Sequence, residues 1–343
     1  MELGPLMTTS VGSFPRPSWL AETDRGHAKF RFEGALLAEA QEDATLLSLR
    51  EQEELGLDIL TDGEQRRERF VYESALTWDG VDMKNKGTKT AFRGRTNYPQ
   101  IVPRIVGKVR RRGAACVDEV RFAKAHTKRP IKVAVAGPMT LIDSTLDEFY
   151  RDEEALAMDI ADATNAELRE LQAAGCDMLQ LDEPAMTRYH DKVLSYGARA
   201  LDRCLDGITV PTFVHLCYGY PGGLSLQHHL TYPAVLEALL GTRIGGFSVE
   251  FGRSDFDPAV LAPCRDRLVM FGCVDPGNAP TPTVDVVKAR ITGALRHLDP
   301  HRLLLAPDCG LMTIGRALAR AKVEVMVSAA RALRHELGFG GGR

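Results

Sequence analysis

Short apolar runs rich in β-branched residues alternate along this chain with longer stretches whose apolar positions recur at helical spacing. The short runs fall at 7–14, 57–62, 131–136, 177–182, 212–217, 245–250, 268–273 and 303–306. Amphipathic helical stretches at 34–55, 153–174, 190–206, 257–264, 284–297 and 316–337 lie between them. Strand–helix alternation of this kind predicts parallel pairing through right-handed crossovers. An open doubly wound sheet and a closed barrel both satisfy it. Eight runs, with polar residues after nearly every one, favour the α/β class and a closed (β/α)8, or TIM, barrel, with residues 1–343 as a single domain. No G-x-G-x-x-G and no P-loop motif follows any run, so nucleotide-binding versions of the fold find no support.

One stretch breaks the rhythm. Residues 70–130, between the second and third runs, are too long for a simple crossover and contain Trp78, Gly80, Gly87, Gly94 and Tyr98. That composition predicts an inserted hairpin or lid over the barrel mouth. The glycine-rich tail, Gly338 to Gly342, is expected to fray.

The ends of the runs carry the chemistry. His215 and Cys217 close the fifth, Glu250 closes the sixth, and Cys309 follows the eighth. Ligands from the carboxyl ends of neighbouring barrel strands converge on one point. One imidazole, two thiolates and one carboxylate make a tetrahedral set for zinc. The spacing differs from that of a zinc finger, whose ligands come in local pairs. Hydrolytic zinc sites are rich in His, Asp and Glu, so two cysteines point instead to activation of a bound thiol and alkyl transfer to it. Other strand ends add Asp62-Gly63-Glu64-Gln65, Asp182-Glu183-Pro184 and Gly12-Ser13. The adjacent carboxylates of Asp182 and Glu183 can receive an amino group. The backbone N–H groups at Gly12-Ser13 can meet a carboxylate. Each has a plainer role as a cap or surface pair, but together they describe a pocket for a zwitterionic amino acid beside a metal.

Composition changes little. Apolar residues are 44% and charged residues 26% of the chain, and the formal net charge is -3. Such a balance gives no general attraction to nucleic acid or to an anionic membrane. The basic cluster Lys108 to Arg112 is read as a solvated face or lid, or alternatively as a contact for an anionic substrate tail. No stretch reaches the ~18 apolar residues that span a bilayer, and the N-terminus lacks a signal core, so a cytoplasmic location is expected. The seven cysteines are scattered and fit a reducing compartment. Cys116, Cys176, Cys204 and Cys264 lack metal-ligand company and are read as small buried residues.

The ordered set Ser10-Val11-Gly12-Ser13-Phe14-Pro15-Arg16, Asp62-Gly63-Glu64, Gly137-Pro138-Met139-Thr140, Asp182-Glu183-Pro184-Ala185, His215-x-Cys217-Tyr218-Gly219 and Pro307-Asp308-Cys309-Gly310-Leu311 resembles the C-terminal catalytic barrel of cobalamin-independent methionine synthases. The resemblance covers nearly the whole chain. It implies zinc on His215, Cys217, Glu250 and Cys309, and methyl transfer to the thiol of homocysteine. It also implies that Glu64 and Asp182 recognise the ammonium group of homocysteine, and Gly12 and Ser13 its carboxylate.

Two departures matter. The long synthases have a second, N-terminal barrel that helps bind the folate donor, and this chain resembles the short core form without it. Methyltetrahydrofolate, methylcobalamin on a corrinoid protein, and another donor-supplying partner protein therefore all remain open. The long enzymes also carry a proton-transferring histidine after the seventh strand, where this chain reads Gly272-Cys273-Val274-Asp275-Pro276. Asp275 is either a substitute acid or a turn residue before proline. The alternatives are a related zinc-dependent thiol alkyltransferase of the coenzyme M type, which has no need of carboxylates for an α-amino group, and a methyl-accepting subunit active only with a partner.

Overall fold

The computed structural model describes residues 2–24, 27–93, 96–218, 231–254 and 256–339. Gly94, Gly219 and Gly340 to Gly342, which enter the expectations above, lie outside them. The strands are a small hairpin of β1 (Ala21–Asp24) and β2 (His27–Phe30), a long hairpin of β3 (Trp78–Arg93) and β4 (Thr96–Arg111), then β5 (Lys132–Ala136), β6 (Leu146–Asp147), β7 (Met178–Asp182), β8 (Thr212–Leu216), β9 (Gly246–Glu250), β10 (Leu268–Val274) and β11 (Leu303–Pro307). Strands β5, β7, β8, β9, β10 and β11 form one parallel six-stranded sheet in that order. The helices Gly34–Leu55, Glu153–Ala173, Val284–Leu295 and Arg316–Glu336 occupy four of the predicted helical stretches.

The first two expected strands are reduced to single parallel bridges, Thr8 with Leu305 and Leu60 with Ile131. Backbone hydrogen bonds still carry the ladder round the ring. Leu305 N–H donates to Met7 O at 2.8 Å, Ile59 N–H to Thr8 O at 3.1 Å, and Lys132 N–H to Leu60 O at 2.8 Å. Side chains take the ladder's place further along these two segments. Gln52, on the helix Gly34–Leu55, satisfies both backbone groups of Thr61, at 2.8 and 3.0 Å, and the Thr61 hydroxyl donates to Gly12 O at 2.6 Å. The backbone of residues 10–14 and 61–64 is thereby free to leave strand geometry, and both segments bend into loops at the carboxyl end of the ring.

Strand alternation sorts the side chains. Val11, Ile59, Met178, Phe213, Met270, Leu304 and Ala306 fill the interior of the ring. Leu179, Leu181, Val214, Leu216, Phe247, Val249, Leu303 and Leu305 face outward into the layer between strands and helices. Counting by twos from Met178 and Phe213 therefore puts Gln180, Asp182, His215 and Cys217 on the inner face. Ser248 and Glu250 alternate with the outward Phe247 and Val249 and so face inward as well.

The 70–130 insertion is mainly the antiparallel pair β3–β4, whose inner strand also pairs with β6. Lys89 ties it to the short helix Pro138–Asp143 at the carboxyl end of β5, donating to Ile142 O at 2.6 Å and Thr145 O at 2.9 Å. The basic cluster is largely spent on acidic residues nearby. Arg111 meets Glu167 and Glu170 at 2.8 Å, Arg112 meets Asp79 at 3.1 Å, and Lys108 meets Asp159 at 3.5 Å. No helix among the described residues is long and apolar enough to cross a membrane.

Glu167 is the anchor of the insertion. Besides Arg111, it accepts Ala115 N–H at 3.0 Å and Cys116 N–H at 2.8 Å. Glu167→Ala leaves Arg111 with Glu170 alone and two backbone donors unmatched, and is expected to destabilise the protein by about 1–3 kcal/mol, measured by urea unfolding.

Candidate metal centre

His215, Cys217 and Cys309 present ligand atoms that all lie within 4.8 Å of one another. Glu250 ends the neighbouring strand, and Tyr218 N–H donates to its Oε2 at 3.3 Å. Ser248 Oγ lies 2.9 Å from His215 Nδ1, which turns Nε2 toward the sulfurs. Metal-bound imidazoles are typically held in this way from the opposite nitrogen. His215 Nε2 and Glu250 Oε1 are both buried without a hydrogen-bond partner. Orphaned polar atoms of this kind require an explanation. A dication there would supply it, and an imidazole, two thiols and a nearby carboxylate fit zinc.

Electrostatics point the same way. Burial first, and then the Cys217 sulfur, drive the Glu250 carboxyl well above the usual range. The Cys309 thiol is driven well up by its hydrogen bond with Cys217 and then by burial. These groups resist ionising together without a positive charge among them. Burial pulls His215 down, but the Cys217 sulfur and Asp182 outweigh it, and its value sits above the ordinary imidazole range.

Residues invisible as functional in the sequence align the ligand-bearing strand ends. The buried Tyr232 hydroxyl donates to Leu216 O at 2.7 Å and accepts Glu250 N–H at 2.9 Å, bridging β8 and β9 beside His215, Cys217 and Glu250. Asp308 precedes Cys309 and accepts Gly252 N–H and Arg253 N–H at 2.7 Å each, clamping the loop that follows Glu250. The Thr187 hydroxyl donates to Cys217 O at 2.9 Å.

The other expected residues gather beside this cluster. Gly63 and Glu64 are both left-handed, at φ 71° and 55°. For glutamate that conformation is uncommon and is held by its surroundings. Arg16 donates to Glu64 O and to Arg67 O, at 2.7 Å each. Buried Arg67 pairs with Glu119 at 2.9 Å and lies 3.9 Å from Glu64. The Glu64 carboxyl packs against Gly12, where a Cβ would collide with its Oε1. Burial raises Glu64 to about 7, with Arg67 opposing and Asp182 and Asp62 adding to the rise. Ser13 is buried, and its carbonyl accepts Leu311 N–H at 2.9 Å, joining this loop to the segment after Cys309.

Asp182 ends β7 on the inner face, with Oδ1 accepting Gln180 Nε2 at 2.7 Å. Burial raises its carboxyl too, while His215, Gln180 and Lys132 oppose. Glu183 departs from the expected adjacent pair. It turns out of the pocket to cap the helix Pro138–Asp143, accepting Met139 N–H at 2.9 Å and Thr140 N–H at 2.8 Å. Its acidic neighbour therefore acts alone at this strand end.

Asp275 makes a local turn. Its Oδ1 accepts Gly277 N–H at 2.7 Å, and its carbonyl accepts the Lys322 ammonium at 2.6 Å. Cys116, Cys176, Cys204 and Cys264 are buried with thiols pushed up by desolvation, as inert cysteines are.

Residues 6–332 match the family model described as the catalytic domain of cobalamin-independent synthase. The chain is 31% identical to a methionine synthase of Sulfurisphaera tokodaii over 98% of its own length and 95% of that protein's. It is likewise 31% identical to a methionine synthase of Pyrococcus abyssi, with the same shares covered. Among solved structures, a B12-independent methionine synthase from Shewanella sp. W3-18-1, in complex with selenomethionine, superposes with a TM-score of 0.92 at 33% identity, covering 97% of this chain and 99% of that one.

Two outcomes follow from this geometry. Tyr232→Phe removes the bridge between β8 and β9 and is expected to weaken zinc binding by about tenfold, measured by competition with a chromophoric chelator. Glu64 titrates near 7 in the folded protein and at its ordinary 4.5 when unfolded. Between those values the folded form holds a proton that the unfolded chain has lost, so stability falls as pH rises through the window. Glu64→Gln removes that loss, so the variant is expected to gain about 3 kcal/mol relative to wild type between pH 4.5 and 7, measured by unfolding at both ends.

Proposed function

Because the chain belongs to the cobalamin-independent methionine synthase family, we propose that it forms methionine by methyl transfer to homocysteine at a zinc ion held by His215, Cys217, Glu250 and Cys309. The observation that carries this reading is the position of the His215–Cys217–Cys309 cluster immediately beside the buried carboxylate of Asp182, which in turn faces Glu64. Bound zinc supplies a Lewis acid on which a thiol loses its proton near neutral pH while its sulfur stays nucleophilic.

The remaining work belongs to the chain itself. Glu64 and Asp182 accept the ammonium of homocysteine, and an ammonium placed between them offsets the burial that raises both. Gly12 and Ser13 direct backbone toward its carboxylate. With both ends held, the sulfur is fixed for in-line attack on the donor methyl. The relative from Shewanella carries selenomethionine, the selenium counterpart of the product, which supports an amino-acid acceptor here rather than coenzyme M.

The donor side is constrained by proton demand. Tetrahydrofolate must gain a proton as it departs, whereas a corrinoid that has given up its methyl need not. Asp275, the substitute acid or turn residue at the end of β10, accepts Gly277 N–H at its Oδ1. The bond occupies one carboxyl oxygen only, so a folate donor and a corrinoid donor, free or carried on a partner protein, both fit this strand end.

Cys217→Ser and Cys309→Ser are expected to lose bound zinc and methyl transfer together, each by at least about a hundredfold. Metal analysis and turnover with homocysteine measure the two losses, and full turnover by metal-free protein would sink the mechanism. Turnover of homocysteine with methyltetrahydrofolate or methylcobalamin, each with and without a corrinoid protein, assigns the donor: methionine is expected with one of the two, and with neither the methyl-transfer reading falls.

A further inference from the structure

Lys132 is fully buried in a barrel interior otherwise filled largely by Val11, Ile59, Met178, Phe213, Met270, Leu304 and Ala306. An ammonium there is expensive, and a methionine would fill similar space without that cost. Its register partner on β7 is Met178, yet its Nζ reaches two residues further along, to Gln180 Oε1 at 2.5 Å. The same Nζ donates to Val11 O, also at 2.5 Å. Burial draws the amine down to about 8, with Asp182 and Glu64 opposing, so near neutral pH it still carries its charge.

Both contacts lead into the amino-acid pocket. In a planar trans peptide the C=O and the following N–H point in opposite directions. Drawing Val11 O toward Lys132 therefore turns Gly12 N–H away from the lysine. On the other side, Gln180 uses its oxygen on Lys132 and its amide nitrogen on Asp182 Oδ1 at 2.7 Å. The lysine also settles the orientation of that amide, since only the oxygen can accept from an ammonium. Asp182 Oδ1 is thus occupied, and Oδ2 is left to meet a ligand.

We infer that Lys132 is a positioning residue for substrate recognition, one ammonium that aims Gly12 N–H at the acceptor's carboxylate and, through Gln180, Asp182 Oδ2 at its amino group. The inference rests on the amino-acid reading of the pocket proposed above. It assigns the preference for an α-amino acid to a side chain that touches neither the substrate nor the metal ligands. A lysine serving only as a strut in the barrel would instead weaken every ligand alike.

The test is binding of two thiols to the zinc-loaded protein by anaerobic calorimetry. One is L-homocysteine and the other is 1-propanethiol, which has the same thiol arm without amino or carboxyl group. Lys132→Met is expected to weaken homocysteine by about tenfold, with propanethiol affinity and zinc content within about twofold of wild type. Equal weakening of both thiols, or an unchanged preference for homocysteine, overturns the inference. If wild type itself fails to prefer homocysteine, the amino-acid reading of the pocket falls first. Should Lys132→Met not fold, Gln180→Leu decides in the same assay: it cuts the link to Asp182 and is expected to lose preference selectively, and retained preference overturns the inference.

Discussion

Negative charge buried at one end of a barrel must be met by fixed positive charge, and the upper half of this molecule is organised by that requirement. Glu64, Glu119, Asp182, Glu250 and Asp308 all lie out of water, and desolvation raises every one of them. Each is answered differently. Arg67 sits between Glu64 and Glu119, and Lys132 lies under Asp182 by way of Gln180. Asp308 is met by the backbone N–H groups of Phe251, Gly252 and Arg253. Glu250 faces a thiol and has an oxygen with no partner, so it is the carboxylate that a bound cation would answer. Buried charges of this kind rarely add net stability, and their value lies in the geometry they impose.

That geometry has two halves that share their supports. On the sulfur side, Tyr232 and Asp308 pin the ends of β8, β9 and β11 to one another, so the donors approach as a set. On the carboxylate side, Arg16 holds the carbonyls of Glu64 and Arg67, which stabilises two consecutive left-handed residues. Ser13 joins the halves through Leu311, two residues beyond Cys309. A shift on either side is therefore felt on the other, which suits a reaction that needs the acceptor's sulfur and its amino-acid head placed together.

Much of this could be read from the chain before any coordinates. A strand's period of two and its carboxyl-terminal polar residue are local patterns, so His215, Cys217, Glu250, Asp182 and Cys309 stood out by position. The insertion showed itself as length without rhythm. What stayed hidden depends on packing. Lys132 opens a strand of alternating alanine and valine and looks like an edge lysine until the ring closes around it. Tyr232 sits in an ordinary helix start, and its role appears only when its hydroxyl lands between two strands. Glu183 reads the same as Asp182 in sequence, yet the alternation of β7 sends it outward to a helix N-terminus. The first two strands were expected at full length. They shrink to single bridges because Gln52 and Thr61 satisfy the backbone by side chain, which no periodicity reveals.

Those single bridges bear on how the molecule assembles. Strands β8 to β11, with His215, Cys217, Glu250 and Cys309 at their ends, come from one stretch of sequence, and each strand pairs with the next. Thr8, by contrast, meets Leu305 across nearly the whole polypeptide, and that contact places Gly12 and Ser13. Long-range closure of this kind costs more chain entropy than the pairing of neighbouring strands. The strand ends that carry His215, Cys217, Glu250 and Cys309 are thus joined by neighbouring pairings, whereas the loop with Gly12 and Ser13 hangs on a pairing across nearly the whole chain.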